Sequence, residues 1–245
     1  MENKELIRIY YDSVAEFYDI RHGIAFEGQS YNWKKYYEPF LDSRVPAKGR
    51  ILELGCGTGL YTRWLCERGL QVIAMDISPK MIEQARNRCP DADYYVGDCQ
   101  DPAATLGEEI IKEGLDAIVG VNSFSYYVDK RKALGNYTRL LRRSGLLIII
   151  DMNGHCPAFK WSEIRNHNEM REWYKVVKEC NRSNMLKLLT DAGFSIEYLE
   201  LFSFVPNKAG RGMVKLLSPV DAILSRLPLI DAIAIRIGVV ARKPW

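Results

Sequence analysis

Positions 51–59 read Ile51-Leu52-Glu53-Leu54-Gly55-Cys56-Gly57-Thr58-Gly59, an apolar run that ends in three glycines spaced two apart. The run predicts a buried strand, and a helical stretch from Leu60 to Arg68 follows the glycines directly. Glycines at such a turn let the backbone reverse sharply and lie against a ligand where any Cβ would collide. A second short strand, Gln71 to Met75, ends in Asp76 and completes a strand–helix–strand unit. A carboxylate at the end of that second strand can accept two hydrogen bonds from a ribose diol. The stretch therefore points to an α/β fold and to a ligand that contains a nucleoside.

The dinucleotide pattern G-x-G-x-x-G requires glycine at position 60, where this chain has Leu60, so close helix packing against a pyrophosphate is not encoded. The pattern is instead G-x-G-x-G with Glu53 two residues ahead of it. Glu53 to Gly59, Asp76 and the later Gly97-Asp98 resemble the motifs of the class I S-adenosylmethionine-dependent methyltransferases, over roughly positions 45 to 151. Tyr11-Asp12-Ser13-Val14-Ala15-Glu16-Phe17-Tyr18-Asp19 is similar to the N-terminal Y-D-x-x-A-x-x-Y-D element of many small-molecule methyltransferases, which folds over the cofactor pocket as a lid. The resemblance implies a Rossmann-like, doubly wound, mainly parallel seven-stranded sheet with an antiparallel last strand. It implies S-adenosyl-L-methionine as cofactor and S-adenosyl-L-homocysteine as product. The residues it assigns to the cofactor are Tyr11, Tyr18, Glu53, Gly55, Cys56, Gly57, Gly59, Asp76, Ile77, Met81, Asp98, Cys99, Asn122 and Ser123.

The chain order supports these placements. Apolar residues at spacings of three and four over positions 4–20 predict one or two amphipathic helices, whose tyrosines either cover the pocket or simply pack. An aromatic run, Tyr31 to Phe40, is expected outside the sheet. Ser78-Pro79 supplies a helix N-cap and a proline at the first helical position. A third strand over Asp93 to Val96 leads to Asp98, which can accept from the exocyclic amine of adenine. Leu115 to Val121 is an apolar run expected of a central parallel strand, and ligands sit at the carboxyl ends of such strands. Asn122 and Ser123 can thus bond a methionyl group, and Tyr126 and Tyr127 can line an acceptor pocket.

Ala133 to Leu141 predicts a helix closed by Gly145 as a left-handed cap, with Lys130, Arg131, Lys132, Arg139, Arg142 and Arg143 on a solvated face. Leu146 to Ile150 is the fifth strand and ends at Asp151. Four segments follow: a lid over 1–45, a cofactor-binding core over 46–151, a substrate-pocket insertion over 152–182, and a C-terminal helix and strands over 183–245, all in a single domain. Ser218-Pro219-Val220-Asp221 reads as a capping box opening a short helix, and Ile233, Ile235, Ile237 and Val239 alternate as a strand. Charges interrupt this apolar tail too often for a transmembrane helix; docking on the sheet explains it, and peripheral membrane contact is the other reading.

The net charge of +3 gives no ground for a nucleic-acid partner, and the six cysteines form no C-x-x-C pair that would suggest zinc or a redox dithiol. Reduced thiols and a charged N-terminus without an apolar core predict a cytoplasmic protein. A sulfonium methyl is already activated, so methyl transfer needs alignment and exclusion of water, and no metal. A hydroxyl or carbon acceptor would use a general base, for which His22, His155, Tyr18 and Asp151 are the candidates. The primary expectation is methyl transfer to N, O or C of a small molecule. RNA or protein methylation, a non-catalytic cofactor-binding module and an NAD enzyme are the alternatives; the absence of an N-P-P-Y element at 122–125 argues against methylation of base or amide nitrogens through that motif.

Overall fold

The structure is a computed structural model that describes residues 3–21, 27–157, 171–227 and 233–244. Four short helices come first: α1 (Asn3–Val14), α2 (Tyr18–Arg21) after a 3₁₀ turn, α3 (Glu27–Asn32) and, after the π-helical turn Trp33–Tyr37, α4 (Glu38–Asp42). The alternating core follows as β1 (Arg50–Leu54), α5 (Leu60–Cys66), β2 (Gln71–Asp76), α6 (Pro79–Arg88), β3 (Asp93–Val96), α7 (Glu108–Glu113), β4 (Leu115–Val121), α8 (Lys130–Leu140) and β5 (Leu141–Met152). Then come α9 (Arg171–Lys178), α10 (Arg182–Asp191), β6 (Ser195–Phe202), α11 (Arg211–Leu224) and β7 (Arg236–Arg242).

The strands form one seven-stranded sheet in the order β3-β2-β1-β4-β5-β7-β6. β1 to β5 are parallel, and β7 inserts antiparallel between β5 and β6. The expected doubly wound sheet with an antiparallel last strand is what the chain adopts. Strand order reverses between β1 and β4, which opens a crevice at their carboxyl ends. One apolar layer, including Leu52, Met75, Tyr137 and Leu147, joins the sheet to α8 and α10; the other, including Ile51, Leu65, Phe40 and Ile148, joins it to α4 and α5. Burial on both faces explains why β4 reads as a continuous apolar run.

The N-terminal helices lie over the core. Asp12 accepts a hydrogen bond from the Ser78 hydroxyl at 2.6 Å, and Ser78 in turn caps α6 by accepting from the Met81 N–H at 3.1 Å. Val14, Ala15, Tyr11 and Tyr18 pack on Met81. The aromatic run lies outside the sheet, as expected, with Tyr36 stacked on Phe202 at 5.3 Å between ring centroids.

Four local expectations are corrected. The left-handed residue after α8 is Ser144 (φ 61°), not Gly145; a Cβ at Gly145 would meet carbonyl oxygens at 3.0 and 3.1 Å, so that glycine serves close packing. Lys130 is buried rather than solvated, because its ammonium donates to the carbonyls of Tyr127 (2.8 Å) and Val176 (3.0 Å) and thereby ties the post-β4 turn to α9. Pro219 lies inside α11, so Ser218 to Asp221 opens no helix. The apolar tail docks only in part: β7 is buried, whereas Met213, Leu216, Val220 and Ile223 of α11 are exposed. Among the described residues no helix is long and apolar enough to cross a membrane.

Candidate active site

The glycine turn is built by backbone geometry. Gly55, Gly57 and Gly59 all have positive φ (71°, 53° and 79°), a region that L-residues with a Cβ adopt only with strain. Their surroundings differ. A Cβ on Gly59 would lie 2.9 Å from the Cα of Ala85, so this glycine lets α5 pack on α6; a Cβ on Gly57 would meet no atom within 4 Å. Gly57 faces open space in a cavity of about 510 Å³ at the carboxyl ends of the strands.

Asp76 locks the turn from the end of β2. One carboxylate oxygen accepts from the Gly57 N–H at 2.9 Å and the other from the Ser78 N–H at 2.9 Å. Burial raises its pKa above the ordinary carboxylate value, against these backbone hydrogen bonds. Asp98, at the end of the next strand, accepts from Lys4 at 2.7 Å and from the Gln100 N–H at 2.9 Å. Burial pushes this carboxyl up, but the Lys4 ammonium and Gln100 outweigh it and hold it below its usual range.

Of the residues assigned to the cofactor, the cavity wall carries Tyr11, Tyr18, Gly55, Cys56, Gly57, Asp76, Ile77, Met81, Asp98, Cys99, Asn122 and Ser123. Asn122 sits at φ 56°, a conformation asparagine tolerates better than most residues, and the Ser123 hydroxyl is buried with no hydrogen-bond partner among the described residues. A cradle with open space at Gly57, two acidic strand ends and an orphaned hydroxyl fits an adenosyl ligand with a polar tail. Tyr126 and Tyr127 are also on the wall.

Two of the assigned residues are not on the wall. Gly59 serves packing, as described. Glu53 points beneath the turn, fully buried, and accepts from the Thr62 hydroxyl at 2.6 Å. Burial pushes its pKa up to about 8, with Asp76 adding to the rise and Thr62 opposing it. An acid whose pKa is higher in the folded state gives full stability below its unfolded value of about 4.3 and loses it as pH rises toward the folded value. Glu53→Gln should therefore gain stability relative to the wild type as pH rises from 5 to 8. Urea melts at both pH values read this out, and a constant difference removes the buried acid from the account.

The general-base candidates separate in the same way. His22 lies outside the described residues. His155 is an exposed turn residue absent from the cavity wall, held there by its backbone N–H to the Asn153 side chain at 3.1 Å. Tyr18 lines the cavity, but burial drives its pKa upward and keeps it a neutral phenol. Asp151 also lines it, accepting from the N–H groups of Ser125 (2.9 Å) and Met152 (2.7 Å).

Part of the wall was not anticipated. Gln29, Asn207, Lys208 and Arg236 also line the cavity. The 206–209 turn reaches it because Gly28 donates to the Ala209 carbonyl at 2.9 Å, and a Cβ there would strike the Pro206 carbonyl oxygen at 2.2 Å. Asn32 adds hydrogen bonds to the Val205 carbonyl (2.8 Å) and the Asn207 side chain (2.7 Å). Nothing in local spacing signals a contact between positions so far apart. Arg236 did carry a signal, as a cation within an apolar strand.

A doubly wound sheet with a glycine turn and acidic strand ends around one crevice defines a nucleoside-binding α/β protein. A family model described as "Methyltransferase domain" matches residues 52–147. An uncharacterized methyltransferase of Anoxybacillus flavithermus is 30% identical over 208 residues, covering 80% of this chain and 89% of its own length. With a relative matched at that identity and coverage, the chain belongs to the S-adenosylmethionine-dependent methyltransferases of class I. The demethylmenaquinone methyltransferase of Thermotoga maritima is 30% identical over 151 residues, which is 61% of this chain and 62% of that protein. The chain matches about three-fifths of the length of several such enzymes. Among solved structures, the N-methyltransferase NodS of Bradyrhizobium japonicum WM9, in complex with S-adenosyl-L-homocysteine, shares the fold at a TM-score of 0.62 and 14% identity, over 100% of both chains.

Proposed function

We propose that the protein is a cytoplasmic enzyme that transfers a methyl group from S-adenosylmethionine to nitrogen, oxygen or carbon of a small-molecule acceptor. The observation that carries this reading is one cavity with two unlike sets of lining residues. Gly57, Asp76, Met81 and Asp98 come from the glycine turn, α6 and the ends of β2 and β3, and Gln29, Asn207 and Arg236 come from α3, the 206–209 turn and β7. A ligand held by the first set leaves the second for an acceptor.

In this reading Asp76 accepts from the ribose hydroxyls, Asp98 from the adenine amine, and Ile77 and Met81 pack on the base. Ser123 and Asn122 bond the methionyl group. The bound sulfonium supplies an electrophilic methyl, and the faces of Tyr11, Tyr18 and Tyr126 offer its positive charge a favourable lining. Tyr11 stands edge-on to Tyr126 at 5.9 Å, so the helices that carry these rings also exclude water. Tyr126 and Tyr127 flank the acceptor. Asp151 is the group on the wall that can hold a proton from a hydroxyl or carbon acceptor, and a neutral amine needs no such help. The names of relatives such as the demethylmenaquinone methyltransferase support a small acceptor. Six cysteines without a disulfide support a reducing compartment.

Calorimetric titration with S-adenosylmethionine, S-adenosylhomocysteine and NAD tests the first step. Selective binding of the two adenosyl ligands is expected, and binding of NAD alone overturns the reading. Asp76→Ala should weaken S-adenosylhomocysteine by about 1.5 to 3 kcal/mol, roughly tenfold to a hundredfold. Unchanged affinity removes Asp76 from the site. Binding without methyl transfer to any member of a broad acceptor panel favours a non-catalytic module, and tight, salt-sensitive binding of RNA favours a polynucleotide acceptor.

A further inference from the structure

We infer that the acceptor carries an anionic group, of carboxylate type, that docks on Arg236. This deepens the methyltransferase reading and rests on it. Arg236 opens β7 opposite Met152 of β5 and is only 6% exposed, yet it lines the cavity. Its Nη1 donates to the Asn122 side-chain oxygen at 3.0 Å, while its buried Nε has no hydrogen-bond partner among the described residues. No carboxylate of those residues lies within ion-pair distance of it.

The carboxylates on the wall are compensated, and of its other cations Lys4 is paired and Lys208 is exposed to water. Asp19 pairs with Arg88 and accepts from the Thr58 hydroxyl at 2.7 Å; Asp98 pairs with Lys4; Asp76 and Asp151 each accept from two backbone N–H groups. A guanidinium removed from water without a counter-ion costs several kcal/mol. A fold that keeps one there has a use for its charge. The positive field is felt around the same chamber: burial dominates the raised pKa values of Tyr37, Tyr61 and Tyr126, and Arg236 pulls each of them back toward the phenolate.

Position separates this group from the adenosine subsite. β7 stands four places from β2 in the sheet, about 19 Å at ordinary strand spacing, and the arginine side chain reaches back only as far as Asn122 at the end of β4. Gln29, Asn207 and Ile235 line the same cavity, from segments that contribute nothing to the glycine turn. Gln29 donates to the Tyr61 hydroxyl at 3.0 Å, and its buried carbonyl oxygen has no partner among the described residues, which leaves an acceptor for a neutral part of the same ligand. Guanidinium rather than ammonium suits a planar anion, since its N–H groups lie in one plane and can bond both carboxylate oxygens.

The test uses the whole protein saturated with S-adenosylhomocysteine, titrated calorimetrically with benzoate and succinate and with their uncharged counterparts benzamide and succinamide. At least one carboxylate should bind tenfold or more tightly than its amide. In Arg236→Met and Arg236→Gln that preference should vanish while S-adenosylhomocysteine affinity, which Arg236 touches only through Asn122, falls by less than tenfold. Equal binding of acid and amide, or binding of neither by a wild type that takes S-adenosylhomocysteine, overturns the inference. A tenfold loss of S-adenosylhomocysteine affinity in the variants also overturns it, assigning Arg236 to the cofactor carboxylate instead. A wild type that binds no adenosyl ligand fails the underlying methyltransferase reading, a result distinct from the others. The wild-type acid–amide comparison stands even if the variants do not fold.

Discussion

Gly57→Val is expected to abolish calorimetrically detectable binding of S-adenosylhomocysteine while leaving the fold intact. The valine side chain would extend into the cavity at the point where the glycine turn faces open space. At φ 53° it also imposes backbone strain of about 1 to 2 kcal/mol, which in a chain of this size lowers the melting temperature by only a few degrees. The adjacent glycine supplies the control. Gly59→Val drives its side chain into Ala85 of α6, so its main cost falls on stability, and whatever folds should retain more affinity than the Gly57 variant. Undiminished binding by Gly57→Val would mean that the turn shapes the sheet edge without touching a ligand, and the cofactor half of the proposal would fall.

The contrast between the two glycines shows what a sequence can carry. All three glycines of the turn could be read as ligand-facing, because spacing records a shared need for positive φ. Spacing does not record which atom each one faces. Glu53 illustrates the same limit: its place two residues before the turn is visible, but alternation along β1 sends it under the turn to Thr62 rather than into the cavity. Asp76 was legible because the end of β2 beside a glycine turn admits few positions for a carboxylate. The five parallel strands were legible because apolar runs alternate with helical patterns along the chain.

The part of the cavity wall that Gln29, Asn207 and Arg236 supply was harder to read, since it is assembled from distant segments. Gly28 and Asn32 meet the 205–209 turn across more than 170 positions, and no local pattern reports such a contact. In β7 the alternation of isoleucine and valine with smaller or charged residues marked a strand but not how deeply it would be covered. The strand is buried on both faces between β5 and β6, and Gly238 is small because Phe40 and Phe202 close over it. The charge on Arg236 then required an internal use. His155 shows the opposite case, a titratable type in a turn that stays exposed and off the cavity wall.

Asp221→Ala should be among the most destabilising single changes in this protein, by about 3 to 5 kcal/mol, and the reason lies far from the cofactor. The carboxylate is fully buried. One oxygen accepts from Tyr31 (2.6 Å), Lys35 (2.5 Å) and Tyr36 (2.5 Å), and the other from the Phe204 N–H (2.7 Å). Truncation strands an ammonium, two phenols and a backbone N–H in one place, which for a chain of this length lowers the melting temperature by roughly 10 °C. Burial alone would raise the pKa of Asp221, but Lys35 and the two tyrosines hold it below the usual carboxylate value. A lowered folded pKa contributes stability above the unfolded value of about 3.9 and loses it as pH falls through the folded one. The gap between wild type and Asp221→Ala should therefore be full at pH 7 and shrink below about pH 4, a trend that urea melts at both pH values would show. A gap under 1 kcal/mol at pH 7, or one that does not change with acid, would leave the cluster without the role assigned to it. Because Phe204 leads into the turn that carries Asn207 and Lys208 to the cavity, the variant should also bind acceptor-type ligands more weakly than it binds S-adenosylhomocysteine. Stability of the acceptor wall and stability of the C-terminal half would then be one property, held by a carboxylate whose sequence context suggested only a helix cap.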